Sequence, residues 1–297
     1  MDEESGMEQP FASIIVPVYN GEETIRDCIL SLLDLDYPAD KFEIIVIDNQ
    51  STDGTTRILQ EFVPAIRIFR EEIRGPAAAR NKGIQRAQGD IQAFIDADCI
   101  ADRNWLKKII TPLENSCTGL VGGKILASPP VNDIKNFGET LHDHDSAINT
   151  FRPPYVMSAS SAARRDVLVK IGYFDTDLLR SEDVDLSYRM IQAGLSLVYQ
   201  PEAVIYHENE KNLYGLFREG MNHGFYTVPL NNKHAKFLES YGYDRFSVHS
   251  YKQLYGTFCA TFRPDNRRRA VYQFFFDLGK RIGKLFGALR FGYWDIA

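Results

Sequence analysis

The 297-residue sequence predicts an α/β protein with a mixed, mostly parallel sheet covered by helices on both faces, followed by a helical C-terminal tail. Three observations carry that prediction. Short runs rich in Ile, Val and Phe alternate with amphipathic stretches through the first hundred residues, the pattern of a βαβ series with right-handed crossovers. Those runs have few polar interruptions, as expected of strands buried on both sides. Near the end, residues 267–291 place apolar side chains at helical spacing.

Taken in order, Ala12 to Val18 reads as a strand, Glu22 to Leu35 as a helix, Phe42 to Asp48 as a strand and Thr52 to Phe62 as a helix. Ile66 to Arg70 is a third strand, Pro76 to Ala87 a helix opened by Gly75 and a first-turn proline, and Ile91 to Asp96 a fourth strand. Ligands of such sheets gather at the carboxyl ends of the strands. The polar residues there are Tyr19 and Asn20, Asp48 and Asn49, and Asp96 and Asp98, so one crevice is expected to hold them all. Gly122 to Leu126 reads as a further strand closed by Pro129 and Pro130. Residues 128–155 show no clear period and read as a functional loop or lid. Ser181 reads as the N-cap of a helix with Glu182, Asp183 and Asp185 in its first turn, and Ser196 to Val204, with Pro201 inside it, as a strand leading to His207.

Composition limits the function. With 44% apolar and 12% aromatic residues the chain can bury a full core, and only its first ten residues, acidic and polar, look unable to join it. Cys28, Cys99, Cys117 and Cys259 have neither metal-site nor disulfide-scaffold spacing and read as free thiols in a reducing compartment. No leader precedes Phe11 and no apolar stretch reaches the ~18 residues needed to span a bilayer, so the expected location is cytoplasmic, free or peripheral on the cytoplasmic face of the membrane. Residues 262–297 hold eight Lys and Arg against three Asp; the net charge of −6 therefore divides into +5 in the tail and −11 elsewhere. Bulk acidity argues against a nucleic-acid partner.

Two acidic clusters point to the chemistry. A strand ending in Asp96-Ala97-Asp98 presents hard oxygen ligands that suit Mg²⁺ or Mn²⁺ against a diphosphate, and Ser181-Glu182-Asp183 can supply a base. Transfer of a group from an activated phosphate ester follows. His142-Asp143-His144-Asp145 has a spacing that would permit metal binding on a strand, but a polar loop is the favoured reading because the cation already has a better site.

The motifs Ser13 to Asn20 (SIIVPVYN), Ile47 to Gly54 (IDNQSTDG), Gly75 to Gly83 (GPAAARNKG), Asp96-Ala97-Asp98 and Glu182 to Leu186 (EDVDL) occur in order, and the chain thereby resembles the inverting family 2 glycosyltransferases of GT-A fold over residues 11–210. The resemblance implies transfer from a nucleoside-diphosphate sugar to a hydroxyl of a lipid-linked or polysaccharide acceptor. It implies Asp183 as catalytic base with Glu182 beside it, Pro17, Tyr19, Glu22, Asp48, Arg80, Asp96 and Ala97 around the donor, and Asp98 with His207 as ligands of Mn²⁺ or Mg²⁺. It divides the catalytic region into a nucleotide-sugar half, 11–126, and an acceptor half, 127–210, with a helical extension over 211–297. His223 would belong to a flap that orders on donor binding. Two rivals stand beside it. A nucleotidyltransferase would need a basic, Gly-rich triphosphate loop where this chain has the acidic Tyr19 to Glu23, and a non-catalytic sugar-nucleotide-binding scaffold would be expected to lose Asp98 or Asp183.

The tail admits two readings. Val271, Phe274, Phe275, Leu278, Ile282, Leu285, Phe286 and Leu289 form one stripe, and Lys280, Arg281 and Lys284 lie opposite. Such a helix suits an anionic membrane surface. Gly279, Gly283 and Gly287, four residues apart, instead suit close packing on the catalytic domain or on a second copy in a homodimer.

Overall fold

The computed structural model describes residues 9–210, 212–295 and 297. Its strands are β1 (Ala12–Val18), β2 (Phe42–Asp48), β3 (Arg67–Arg70), β4 (Ile91–Ile95), β5 (Cys99–Ala101), β6 (Thr118–Ala127), β7 (Ser160–Arg164) and β8 (Ser196–His207). Its helices are α1 (Ile25–Leu33), α2 (Thr55–Gln60), α3 (Pro76–Arg86), α4 (Trp105–Ile110), α5 (Asp133–Leu141), α6 (Arg165–Ile171), α7 (Glu182–Gln192), α8 (Leu213–Lys233), α9 (Ala235–Ser240), α10 (His249–Ala260) and α11 (Arg267–Phe291).

The strands form one sheet in the order β3-β2-β1-β4-β7-β6-β8-β5. β1 to β4 are mutually parallel where they pair, β7 runs antiparallel to β4 and β6, and β5 runs antiparallel to β8. One apolar layer, with Ile14, Val16, Ile29, Leu32 and the fully enclosed Trp105, lies between the sheet and α1, α2 and α4. A second, with Ile15, Ile84, Phe94, Leu168 and Leu186, lies under α3, α6 and α7. Helices on both faces explain why the strands read as unbroken apolar runs.

Several expectations need correction. Residues 128–155 are not an irregular lid. Asn132 accepts hydrogen bonds from the Ile134 and Lys135 N–H groups and starts α5. The strand expected from Gly122 begins at Thr118, and the one expected to end at Val204 continues to His207. Pro201 is tolerated because the β6–β8 register slips between Gly123 and Lys124, where no ladder bond needs its missing N–H. Ser181 precedes α7 but makes no capping hydrogen bond through its side chain; it sits in the left-handed region at φ 64°. The acidic residues 1–8 lie outside the described residues, while Pro10 is already tied in by the Tyr37 hydroxyl at 2.6 Å.

The tail helix packs through its small residues and leaves the last part of its apolar stripe exposed. α11 lies along α8, and a Cβ at Gly279 or Gly283 would fall 2.2 and 2.0 Å from the carbonyl oxygens of Phe217 and Met221. The small residues face inward because only they let the two backbones approach so closely. Lys284 is buried with them, whereas Leu285, Phe286 and Leu289 are exposed.

Candidate active site

A cleft of about 1150 Å³ opens at the carboxyl ends of β1 and β4 and runs to α7, α8 and α11. Pro17, Val18, Tyr19, Asn20 and Asn49 line one end. Asp96, Ala97, Asp98, Glu182 and Asp183 lie on its wall as well, and the strand order puts β4 between β1 and β7. Of the residues expected in one crevice at the strand ends, Tyr19, Asn20, Asn49, Asp96 and Asp98 line this cleft and Asp48 does not.

Arg80 joins the two acidic clusters. Its guanidinium, 3% exposed, donates from Nη1 to Glu182 Oε1 and from Nη2 to Asp96 Oδ1, each at 2.6 Å, and lies over the Phe174 ring. Its Nε has no partner. Burial alone would lower its pKa, but the charges of Asp96, Glu182 and Asp183 raise it instead, so it stays cationic. Through these two ion pairs Arg80 holds the end of β4 and the start of α7 together.

Asp183 accepts from the Ser158 N–H at Oδ2 (3.1 Å) and from the Val184 N–H at Oδ1 (2.8 Å). Lone pairs on both oxygens remain for a substrate proton. Loss of water pushes the Asp183 carboxyl up from the usual range, with Arg80 opposing. Glu182 is pushed up in the same way, to about 7, by burial and by the neighbouring Asp183 charge.

Asp98 and His207 meet because β5 pairs with β8 so that Cys99 stands opposite His207. Asp98 Oδ1 lies 3.6 Å from His207 Nε2. His207 Nδ1 donates to Asn209 Oδ1 at 2.8 Å, which fixes the tautomer and leaves Nε2 as the free ligand atom. The separation is near the roughly 3 Å between adjacent ligands of an octahedral cation, and a carboxylate with an imidazole suits Mn²⁺ or Mg²⁺. Cys99 Sγ completes a group of three ligand atoms within 4.8 Å. Burial and the neighbouring acids hold that thiol protonated, so the oxygen and nitrogen atoms are the better donors.

Glu22 and Asp48 stand off the cleft wall. Glu22 Oε2 accepts from the Gly54 N–H at 2.7 Å, and both Asp48 oxygens are used, by the Ser51 N–H and the Thr56 hydroxyl. They shape the β2–α2 loop. Asn49 lines the cleft, but its amide is also engaged, donating to the Glu71 and Ile73 carbonyls and accepting from the Gly75 N–H. His144 is not a surface loop residue; it is buried, with Nδ1 bonded to the Gly123 carbonyl and Nε2 accepting from the Met157 N–H, and burial lowers its pKa to about 4. Neither ring nitrogen is left for a metal. His142 packs against His207 with the ring centroids 4.6 Å apart and the planes tilted by 43°. His223 belongs to the continuous helix α8, not to an isolated flap, and lines the cleft. Asp185 is structural: fully buried, it receives Arg189, Lys233 and His234.

Sequence reasoning missed Arg152, Tyr155 and Met157 on the cleft wall, and also Asn231 from α8 and Lys280 and Lys284 from α11. Helix periodicity does mark one face of α11 as basic; which way that face turns depends on the packing against α8.

This architecture is the GT-A fold of sugar-nucleotide-dependent transferases, and a similar solved structure is the mannosyltransferase PcManGT of Pyrobaculum calidifontis in complex with GDP-Man and Mn²⁺ (TM-score 0.62, 22% identity, covering 96% of this chain and 74% of that one). The chain belongs to glycosyl transferase family 2, whose model matches residues 13–172. Among curated relatives, glycosyltransferase AglE of Haloferax volcanii is 32% identical over 205 residues, 66% of each chain. The dolichyl N-acetyl-alpha-D-glucosaminyl phosphate 3-beta-D-2,3-diacetamido-2,3-dideoxy-beta-D-glucuronosyltransferase of Methanococcus voltae is 25% identical over 238 residues, 72% of each. The chain spans from about half to two thirds of the length of the first curated relatives it matches. Among the described residues, no helix is long and apolar enough to cross a membrane.

Proposed function

We propose that the chain is a metal-dependent, inverting glycosyltransferase that moves a sugar from a nucleoside-diphosphate donor to a hydroxyl acceptor in lipid-linked glycan or polysaccharide synthesis. The observation that carries this reading is the joint placement of Asp183 and the Asp98–His207 pair on one cleft. Residues 11–126 form the donor half, with Pro17, Tyr19, Asp96 and Ala97 against the nucleotide sugar, and residues 127–210 the acceptor half. The extension 211–297 closes the acceptor end.

Asp98 and His207 would hold the cation, which when bound neutralises charge on the diphosphate leaving group. The acceptor oxygen attacks C1 from the face opposite the diphosphate, its O–H proton passes to Asp183, and the C1–O bond breaks with its electron pair leaving on the phosphate. Two backbone N–H groups hold the Asp183 carboxylate in place for that transfer. The names of the relatives support the acceptor class, since one of them acts on a dolichyl phosphate sugar.

A thermal-shift screen of nucleoside diphosphates and their sugars, with and without Mn²⁺, tests the reading. Binding to the native state raises the melting temperature by linkage. Stabilisation by one nucleoside diphosphate that vanishes on chelation is expected; no shift with any of them would remove the proposal.

A further inference from the structure

Two phenols border Asp183 on the cleft wall. The chain from Tyr155 to Ser158 runs along the first turns of α7, where the Val156 N–H donates to Ser187 Oγ at 3.0 Å and the Ser158 N–H to Asp183 Oδ2 at 3.1 Å. Val156 is fully buried, and Tyr155 and Met157 on either side of it line the cleft. Tyr188 reaches the cleft from α7 itself, one turn beyond Val184. Tyr155 and Val184 pack against a buried cluster that contains Tyr188, Leu230 and Leu238, so both rings belong to one stretch of the wall.

Tyr188 is 7% exposed and Tyr155 is half-buried, and among the described residues neither phenolic oxygen has a hydrogen-bond partner. Neither oxygen is shut off from solvent, so each opens on the cleft that its ring lines. By contrast the Tyr37 and Tyr243 hydroxyls are bonded, to the Pro10 carbonyl and to Asp295. Enclosed hydroxyls are ordinarily paired, and a bare one costs free energy that a bound group recovers. Burial and the charges of Asp183 and Asp143 push the Tyr155 phenol up to about 12, and burial raises Tyr188 as well. Both therefore keep a proton to donate at neutral pH.

We propose that Tyr155 and Tyr188 bind the acceptor, and that this acceptor presents its nucleophilic hydroxyl on a sugar ring. The proposal rests on the glycosyltransferase reading, which puts the reacting oxygen at Asp183 and hence beside these phenols. A pyranose carries hydroxyls on its rim and C–H groups on its faces. The rim can accept the two O–H donors while a face lies on the apolar wall of Leu230, Leu238 and Phe151, whose ring is 6.0 Å from that of Tyr155. A hydrocarbon alcohol would leave both phenols bare, because its one hydroxyl is committed to Asp183.

Ligand-observed NMR titration of the full chain tests this with the octyl glycosides of glucose, galactose, mannose and N-acetylglucosamine. Octanol and octyl phosphate serve as molecules of the same tail without the ring. Tyr155→Phe and Tyr188→Phe each remove one oxygen, and since that oxygen has no partner inside the chain the melting temperature should not fall. A lowered melting temperature would reveal an internal partner and overturn the proposal. The expected result is that at least one glycoside binds the native chain and binds each Phe variant about three- to tenfold more weakly, the range for one neutral hydrogen bond. Nucleoside diphosphate with Mn²⁺ should bind all three chains equally. No glycoside bound by the native chain, or equal binding by all three, overturns the proposal. So does a Phe-sensitive affinity for octanol or octyl phosphate, which would assign the phenols to an alcohol or a phosphate. A sugar nucleotide that weakens in the Phe variants while its parent diphosphate does not would assign them to the donor sugar, with the same consequence. Glycoside binding that depends on both phenols in a chain that binds no nucleoside diphosphate supports the sugar subsite and rejects the glycosyltransferase reading instead.

Discussion

Arg80 and Glu182, 102 positions apart in the chain, form a buried 2.6 Å ion pair that fixes α7 against α3 at the centre of the cleft. The second arm of the guanidinium holds Asp96. A planar fork can bridge two carboxylates in a set geometry, and a lysine cannot. The helix that carries Asp183 is therefore referenced to the strand that leads into Asp98.

Removing that fork leaves two carboxylates short of a partner inside the protein. Arg80→Met should destabilise the fold by about 3–5 kcal/mol, the range for breaking one side of a buried ion pair. Arg80→Lys should fold but turn over more slowly, by at least about tenfold, because one ammonium cannot hold both acids at 2.6 Å. Urea unfolding and single-turnover rates separate the two effects. A lysine variant with native turnover would mean that the bridge is not needed for positioning.

Asp183→Asn should preserve the fold and the affinity for donor while lowering turnover by at least about 10²-fold, the lower end of general-base contributions. The native profile against pH carries the same information. A base works only when deprotonated, and burial raises the Asp183 carboxyl, with Glu182 beside it pushed to about 7. Turnover should thus fall as pH falls, on an acid limb displaced above the ~4 of an exposed carboxylate. A limb at pH 4 or below would contradict the raised values, and an unchanged rate in the Asn variant would remove Asp183 as base.

The cation site allows a sharper contrast between two histidine-bearing segments. Asp98→Ala should abolish Mn²⁺-dependent binding of nucleoside diphosphate, since Asp98 Oδ1 and His207 Nε2 face each other at 3.6 Å. His144→Ala should leave that binding intact but cost about 2–3 kcal/mol in stability, because the Gly123 carbonyl and the Met157 N–H lose their buried partner. Equal loss of metal-dependent binding in both variants would relocate the cation.

Local pattern carried most of the first hundred residues. β1 and β2 span the expected limits, α1 and α2 are shorter by two or three residues at each end, and α3 is shorter by one at its C-terminus. Helix α5 also left a signal that went unused, an Asn132 cap followed by Ile134, Phe137 and Leu141 at helical spacing. The encounter of Asp98 with His207 is different in kind. It depends on the pairing of Cys99 with His207 across 108 residues, and no local period encodes it; the family resemblance supplied it. Glu22 and Asp48 show the reverse limit, because a motif match cannot tell a carboxylate that faces ligand from one that braces the loop. For α11 the sequence offered two readings, and the one carried by Gly279, Gly283 and Gly287, close packing on the rest of the chain, is the face that meets the α8 backbone.

That orientation makes a specific prediction about membranes. Phe286 and Leu289 are 58% and 68% exposed and Trp294 is 53% exposed, close in sequence to the exposed Arg290, and at the other end of α11 Phe258 of α10 and Phe262 are solvent-facing near Arg263 and Arg267 to Arg269. Apolar and aromatic side chains beside arginines suit the interface of an anionic bilayer. Deleting residues 263–297 would be an unsound test, since it would strip α8 of the helix packed along it and bare the Gly220 and Gly224 surface. The triple change Phe286→Ser, Leu289→Ser and Trp294→Ser removes only exposed groups and should leave the melting temperature nearly unchanged. The native chain is expected to co-sediment with vesicles containing phosphatidylglycerol, less so at high salt, and the triple variant to bind at least about tenfold more weakly. Equal sedimentation of both chains, or none by the native chain at low salt, would leave this apolar ridge to a protein partner.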